Sequence, residues 1–297
     1  MASKISIKLK DNICNHEPSF FTDTESIHYI KNILPGGDLE VNENDIVMYT
    51  DLFLTNDMKG KKNIAILIES PEYHRPHYEY VSKHNNKFDL VLTFDKRLLD
   101  REENFKLNLF GTCSLHDSYI HVWFKSKLNS MIISNKNMTS GHRFRHTVAN
   151  YISSNNISVD IYGPNYIFLA QPTTRAFEAD HSSRHVTNGK INALKDYMFS
   201  VTIENNKQDY YFTEKIIDCF LTGTVPIYYG CPSIGKFFNI NGIIVIDSLD
   251  DIIRILPTIT VDLYNQMKPY IEENYKTAQK YKTFVFNEEA ILDVVSK

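Results

Sequence analysis

The feature that most constrains this chain is a set of short apolar runs with no polar alternation. Ile64-Ala65-Ile66-Leu67-Ile68 is apolar on both faces and ends at Glu69-Ser70-Pro71. A half-solvated strand would alternate apolar and polar residues, so a run like this needs cover on both sides, which parallel sheets provide. Short apolar β-branched runs predict further strands at Asp45–Tyr49, Leu90–Phe94, Met131–Ser134, Val159–Tyr162, Phe199–Ile203, Val225–Tyr229 and Ile243–Ile246, and the alternating Ser6–Leu9 predicts a first one. Segments of helical period lie between them, at Glu25–Leu34, His142–Ile152, Glu214–Leu221 and Leu249–Leu256. Strands alternating with helices predict an α/β fold of doubly wound parallel sheets. No repeat of about 20–50 residues is present, which excludes a solenoid. At roughly 100–200 residues per domain, 297 residues suggest two. The boundary is expected near Trp123–Ser130, giving domains 1–127 and 128–297. The helical stretch Leu263–Phe286, with tyrosines at 264, 270, 275 and 281, is expected to pack back on the first domain.

Charge narrows the function classes. Lys and Arg number 32 against 36 Asp and Glu, and they are scattered, so there is no electrostatic footprint for nucleic acid or an anionic membrane. The four cysteines (Cys14, Cys113, Cys219, Cys231) form no CxxC pair and read as reduced thiols of a cytosolic protein. The N-terminus alternates like a strand and lacks an apolar signal region, and no apolar run nears the ~20 residues of a membrane helix. A soluble, cytoplasmic protein is expected. His74, His77 and His84 do not have the spacing of a zinc motif, and Asp250-Asp251 starts a helix, so no metal is expected. Neither Gly-x-Ser-x-Gly nor a strand-linked Gly-x-Gly-x-x-Gly is present, which argues against a serine hydrolase and a nicotinamide enzyme.

The chemistry concentrates in one stretch. Phe199-Ser200-Val201-Thr202-Ile203-Glu204-Asn205-Asn206 reads as a strand entering a polar loop, and Tyr211-Phe212-Thr213-Glu214-Lys215 opens a helix. Gly223-Thr224-Val225-Pro226-Ile227-Tyr228-Tyr229-Gly230 follows as turn, strand and glycine loop. A helix N-terminus offers free N–H groups and about half a positive charge, so it attracts phosphate. Lys215 adds a full charge, and Glu214 is placed to accept hydrogen bonds from ribose hydroxyls. Thr213 equally reads as a simple cap. Glu204 and Asn205 either touch the sugar or its ribose or serve neighbouring backbone, and Tyr211 either meets the nucleotide or joins the core. Gly223, Gly230 and Gly235 read mainly as element ends.

Together these residues resemble the donor-binding signature of the α-1,3-fucosyltransferases, glycosyltransferase family ten: a strand ending in Glu-Asn, then Tyr-x-Thr-Glu-Lys, then a Val-Pro strand ending in glycine. The likeness continues through Pro232-Ser233 and Phe237-Phe238. Glu69-Ser70-Pro71 is similar to the family's Glu-Ser-Pro, whose glutamate is the proposed general base. Ser134-Asn135-Lys136-Asn137, followed by Arg143 and Arg145, resembles the family's Ser-Asn-x-Asn strand end and the arginine that contacts the donor diphosphate. Arg145 fits the following helix better. Asn165–Asn188 and the first sixty residues carry no matched motif.

The resemblance implies a GT-B architecture, two Rossmann-like doubly wound domains facing a central cleft, with the nucleotide sugar held by the C-terminal domain. It implies an inverting transfer of L-fucose from GDP-fucose to a hydroxyl of a glycan acceptor, with no cofactor beyond the nucleotide sugar. Glu69 would take the hydroxyl proton, while Lys215 and Arg145, or Arg143, would hold the diphosphate. Glu214, Glu204, Asn205, Tyr211 and Thr213 would meet the nucleotide and sugar. Two alternatives stay open: another GDP-sugar or a UDP-sugar as donor, and a non-catalytic carbohydrate-binding protein.

Overall fold

A computed structural model describes residues 4–11, 24–33, 40–101, 103–163, 174–176 and 187–297. Cys14 and most of Asn165–Asn188 lie outside the described residues. The chain divides into two compact units. The first comprises Met1–Gly111, Asp209–Tyr211 and Thr283–Lys297, and the second Thr112–Gln208 and Phe212–Lys282.

The first unit is built on β1 (Ile5–Asp11), β2 (Ile27–Ile33), β3 (Ile46–Thr50), β4 (Lys62–Ile66), β5 (Leu90–Thr93) and β6 (Phe105–Leu107). All pairs are parallel, in the order β2-β1-β3-β4-β5-β6. Helices α1 (Arg75–Lys83) and α2 (Lys96–Leu99) connect its later strands. The apolar runs behave as their composition demands, with Ile64, Ala65, Leu90, Val91 and Leu92 almost fully buried. One expectation is overturned: Glu25–Leu34 is not a helix. Ile27 and Tyr29 are buried while His28 is exposed and Ile30 is 37% exposed, the two-residue period of an edge strand. β2 pairs with β1 along its whole length, and that ladder outweighs a weak helical period.

The second unit contains β7 (Lys127–Ile132), α3 (Ser140–Ser154), β8 (Asp160–Gly163), β9 (Thr174–Ala176), α4 (Thr187–Asn192), β10 (Tyr197–Ile203), α5 (Glu214–Thr222), β11 (Val225–Tyr229), β12 (Ile244–Val245), α6 (Leu249–Ile255) and α7 (Val261–Ala278). Its parallel order is β12-β11-β10-β7-β8-β9. Counted within the unit this is the 3-2-1-4-5-6 winding of dinucleotide-binding sheets, whose direction of travel reverses between the first and fourth strands. Those strands are β7 and β10. Every residue of β10 is buried, as a central strand covered on both faces must be.

The division falls at Thr112, before the expected 127/128, because the intervening segment is tied to the second unit. Ser114 donates twice to Asp218, Trp123 donates its backbone N–H to the Thr222 carbonyl, and Lys125 is buried. The Lys125 ammonium reaches the carbonyls of Leu194 and Lys195 at 3.0 and 3.1 Å and Thr224 Oγ1 at 2.9 Å. Helix α7 also differs from expectation. Tyr264, Met267 and Ile271 sit in the second unit's core, and the Tyr264 hydroxyl donates to the carbonyl of Gly223, which ends α5 with φ +73°. Only the segment after it joins the first unit, where Phe284, Phe286 and Ile291 of α8 (Glu288–Val295) and its approach enter the core.

The start of α3 is packed without slack. The Gly141 N–H donates to the Asn205 carbonyl at 3.0 Å, and a Cβ at Gly141 would land on the Glu204 carbonyl oxygen and 2.6 Å from Asn205 backbone atoms. Backbone cannot rotate aside as a side chain does. Gly141→Ala is therefore expected to destabilise the second unit by about 1–3 kcal/mol, the usual range for overpacking, read as a lowered denaturant midpoint.

Candidate active site

Helices α3 and α5 follow β7 and β10, the strands that flank the winding reversal, so both helix N-termini belong to the carboxyl end of the second sheet. Open α/β sheets bind ligands at that place. Thr139 caps α3 in a capping box with His142, whose Nδ1 accepts from the Thr139 N–H at 3.3 Å. One turn along, Arg145 is buried, and its Nη2 donates to the Ile203 carbonyl at 2.6 Å and to Asn205 Oδ1 at 3.3 Å. Arg143 is exposed and donates to the Met138 carbonyl at 3.1 Å. Two helical residues differ by about 200° of rotation, so only one of the two arginines can face β10, and it is Arg145.

Thr213 caps α5, and Lys215 folds back over it. The Lys215 ammonium lies 2.9 Å from Thr213 Oγ1, 3.1 Å from Glu214 Oε1 and 3.5 Å from Glu204 Oε2. Glu204 is fully buried. Its Oε1 accepts the Thr213 N–H at 2.9 Å and its Oε2 accepts the Thr213 hydroxyl at 2.6 Å. In this arrangement Glu204 acts on Thr213 and Lys215, closing the loop between β10 and α5, and does not present a carboxylate to a sugar. Asn205 is likewise held from behind by Arg145 and by His142.

Two functional side chains escaped the sequence reading. Lys190 of α4 pairs with buried Asp218 at 2.5 Å and lies 3.8 Å from Glu214 Oε1. Its signal is Asp218 itself, an acid on the buried face of an apolar helix, which demands a cation. His142 is the other, visible only as the Thr-x-x-His of a capping box. Burial tends to raise the Glu214 carboxyl, but Lys215 and then Lys190 outweigh it and hold it below the usual carboxylate range. Burial first, then the charges of Arg145, Lys215 and Lys136, depress His142 to about 4, so it is neutral at pH 7. Two capped helix starts and the cations beside them give this end of the sheet a positive electrostatic character, which favours anions.

Glu69 belongs to the first unit, just beyond the end of β4, and is half-buried. Its backbone carbonyl accepts the Tyr78 hydroxyl at 2.7 Å, and its Oε2 accepts the Tyr211 hydroxyl at 3.3 Å. Tyr211 is 2% exposed, with its ring centroid 4.9 Å from that of Phe94. A ring so enclosed orients Glu69 and has no free face for a base. Glu69 packs with Asp51, His74, His77, Tyr78 and apolar residues around a crevice too narrow to hold a water molecule. His74 and His77 stack at 4.8 Å, and burial, then His77, lowers His74 to about 4. Among the described residues no three His, Cys, Asp or Glu side chains are grouped to hold a metal ion, and no helix is long and apolar enough to cross a membrane.

The depressed imidazoles give stability a definite pH slope. His142 titrates near 4 in the folded chain and near 6.5 when unfolded, so between those values the unfolded chain binds the extra proton and stability falls as pH falls. His74 contributes with the same sign. His142→Asn is expected to remove about 1–3 kcal/mol of the stability lost between pH 6.5 and 4, measured by denaturant unfolding at both ends of the window.

Residues 122–262 match the family model described as glycosyltransferase family 10 (fucosyltransferase), C-terminal. The resemblance seen in the motifs therefore holds over that segment. An α-(1,3)-fucosyltransferase, FucT, of Helicobacter pylori is 36% identical over 69 residues, a span of 23% of this chain and 14% of that relative. A solved α1,3-fucosyltransferase with GDP-fucose superposes with a TM-score of 0.58 at 17% identity, covering 100% of this chain and 93% of that one. An α,α-trehalose-phosphate synthase (UDP-forming) from Burkholderia vietnamiensis reaches 0.57 at 10% identity, over 86% of this chain and 73% of that one. The fold is α/β with two parallel sheets, the class of the GT-B glycosyltransferases.

Proposed function

We propose that the protein is a glycosyltransferase that moves L-fucose from GDP-fucose to a hydroxyl of a glycan acceptor, with inversion at the anomeric carbon. The observation that carries the reading is the meeting of Arg145, Lys215 and two capped helix starts at the winding reversal of the second sheet, inside the segment that matches the fucosyltransferase family.

In this reading the departing diphosphate gains negative charge as the glycosidic bond breaks, and Lys215 and Arg145 meet that charge. Cations fixed in advance stabilise the transition state more than the ground state. Glu214 accepts the ribose hydroxyls. Glu204, Thr213 and Asn205 hold the loop in register. The acceptor hydroxyl is a poor nucleophile at neutral pH, and Glu69 takes its proton as the new bond forms, oriented by Tyr211. No metal is required, because protein groups supply the positive charge. Burial of the free thiols Cys113, Cys219 and Cys231 suits a cytoplasmic setting.

Two measurements test this. A nucleotide panel followed by thermal unfolding is expected to show a selective shift with GDP, because stabilisation grows as RT ln(1 + [L]/Kd). A preference for UDP would overturn the donor assignment, and no shift with any nucleotide would favour a protein without this activity. Glu69→Gln is expected to keep the GDP shift and lose about 10²–10⁴ in turnover of GDP-fucose, the usual contribution of a general base. An unchanged kcat would remove Glu69 from the mechanism.

A further inference from the structure

The carboxylate of Glu214 sits between two lysines of unequal freedom. Lys215 divides its ammonium among Thr213, Glu214 and Glu204. In the proposed reaction it is also the group that meets the diphosphate, so it leaves Glu214 when the donor binds. Lys190 has no such second task. Its ammonium is anchored 2.5 Å from Asp218 Oδ2 and 2.8 Å from Ser114 Oγ, and 3.8 Å from Glu214 Oε1.

The anchor is itself rigid. Asp218 is fully buried, and it accepts the Ser114 N–H at 3.0 Å and the Ser114 hydroxyl at 2.6 Å. Asp218 also stands one helical turn after Glu214, on the same face of α5. Two acids four residues apart repel each other, and a cation placed against both turns the repulsion into a bridge. Lys190 therefore does two things at once. It cancels a buried negative charge beneath a site meant for an anion, and it fixes the carboxylate above.

We propose that Lys190, anchored by Asp218 and Ser114, is the positioning residue that holds Glu214 ready for the ribose hydroxyls of the donor nucleotide. This rests on the reading that Glu214 accepts those hydroxyls. Burial alone would lower the Lys190 ammonium, but Asp218 and then Glu214 more than offset it, so it stays charged throughout the working pH range.

The test compares GDP with 2′,3′-dideoxy-GDP, which lacks both ribose hydroxyls, by calorimetric titration. Lys190→Gln is expected to weaken GDP about tenfold more than dideoxy-GDP, a selective loss equivalent to about 1.4 kcal/mol. Lys190→Arg is expected to restore GDP affinity. Because Lys190→Gln strands the Asp218 charge, the double variant Lys190→Gln with Asp218→Asn is measured beside it; it keeps an acceptor for Ser114 and is expected to show the same selective loss. Equal losses on both nucleotides, or wild-type GDP affinity in both variants, overturn the inference alone. A wild-type protein that binds neither nucleotide removes the donor reading and this inference with it.

Discussion

The second unit's site depends on one buried carboxylate. Glu204, at the end of β10, would cost several kcal/mol to bury without partners. It has them: the Thr213 backbone and hydroxyl on its two oxygens, and Lys215 at 3.5 Å. Those bonds close the loop between β10 and α5, so the cap of the helix and the position of its first lysine follow from a single acid. Surrounding residues are shaped to admit it. A Cβ at Gly230 would fall 2.6 Å from Glu204 Cγ, and the backbone N–H of Glu204 donates to the Tyr229 carbonyl at 2.8 Å. Burial, with the Glu204 charge beside it, pushes the Tyr228 hydroxyl well above its ordinary range.

How much of this was legible in the sequence follows from the range of each interaction. The apolar strands and the start of α5 were readable because burial pattern and capping are local. Ile27–Ile33 was misread because an edge strand is half exposed, so its two-residue period is brief and its partner, β1, lies elsewhere in the chain. Helix α7 shows aromatic residues at helical spacing, which says that it is buried and not against which core. Arg143 and Arg145 were ambiguous as a pair; rotation about α3 separates them only once Ile203 supplies a carbonyl for one. Asp218 on the apolar face of α5 signals that some cation must pair with it, but not that the cation is Lys190, which is far from it in sequence.

The same logic sorts the motif residues by what they do. Glu204 and Asn205 are nearly or fully buried, while Lys215 and Glu214 keep 20% and 29% of their side chains exposed. The first pair is spent on partners within the protein, and the second keeps access for a ligand. The fucosyltransferase-like pattern is therefore not a row of equivalent contacts. Its strand-end Glu-Asn is mostly scaffold, and its Glu-Lys is the surface that scaffold presents.

That division has an energetic consequence. In the structure Lys215 is not idle but bonded to Thr213, Glu214 and Glu204, and any anion it grips must replace those contacts. Net affinity is then a difference between two sets of charge-assisted bonds, each strong by itself. In the proposed reading a diphosphate, with two charged groups and the N–H groups of a capped helix to bind, replaces them better than a monoanion would. Selectivity for a nucleoside diphosphate would then be a property of Glu204 and Glu214 as much as of the lysine that carries the charge.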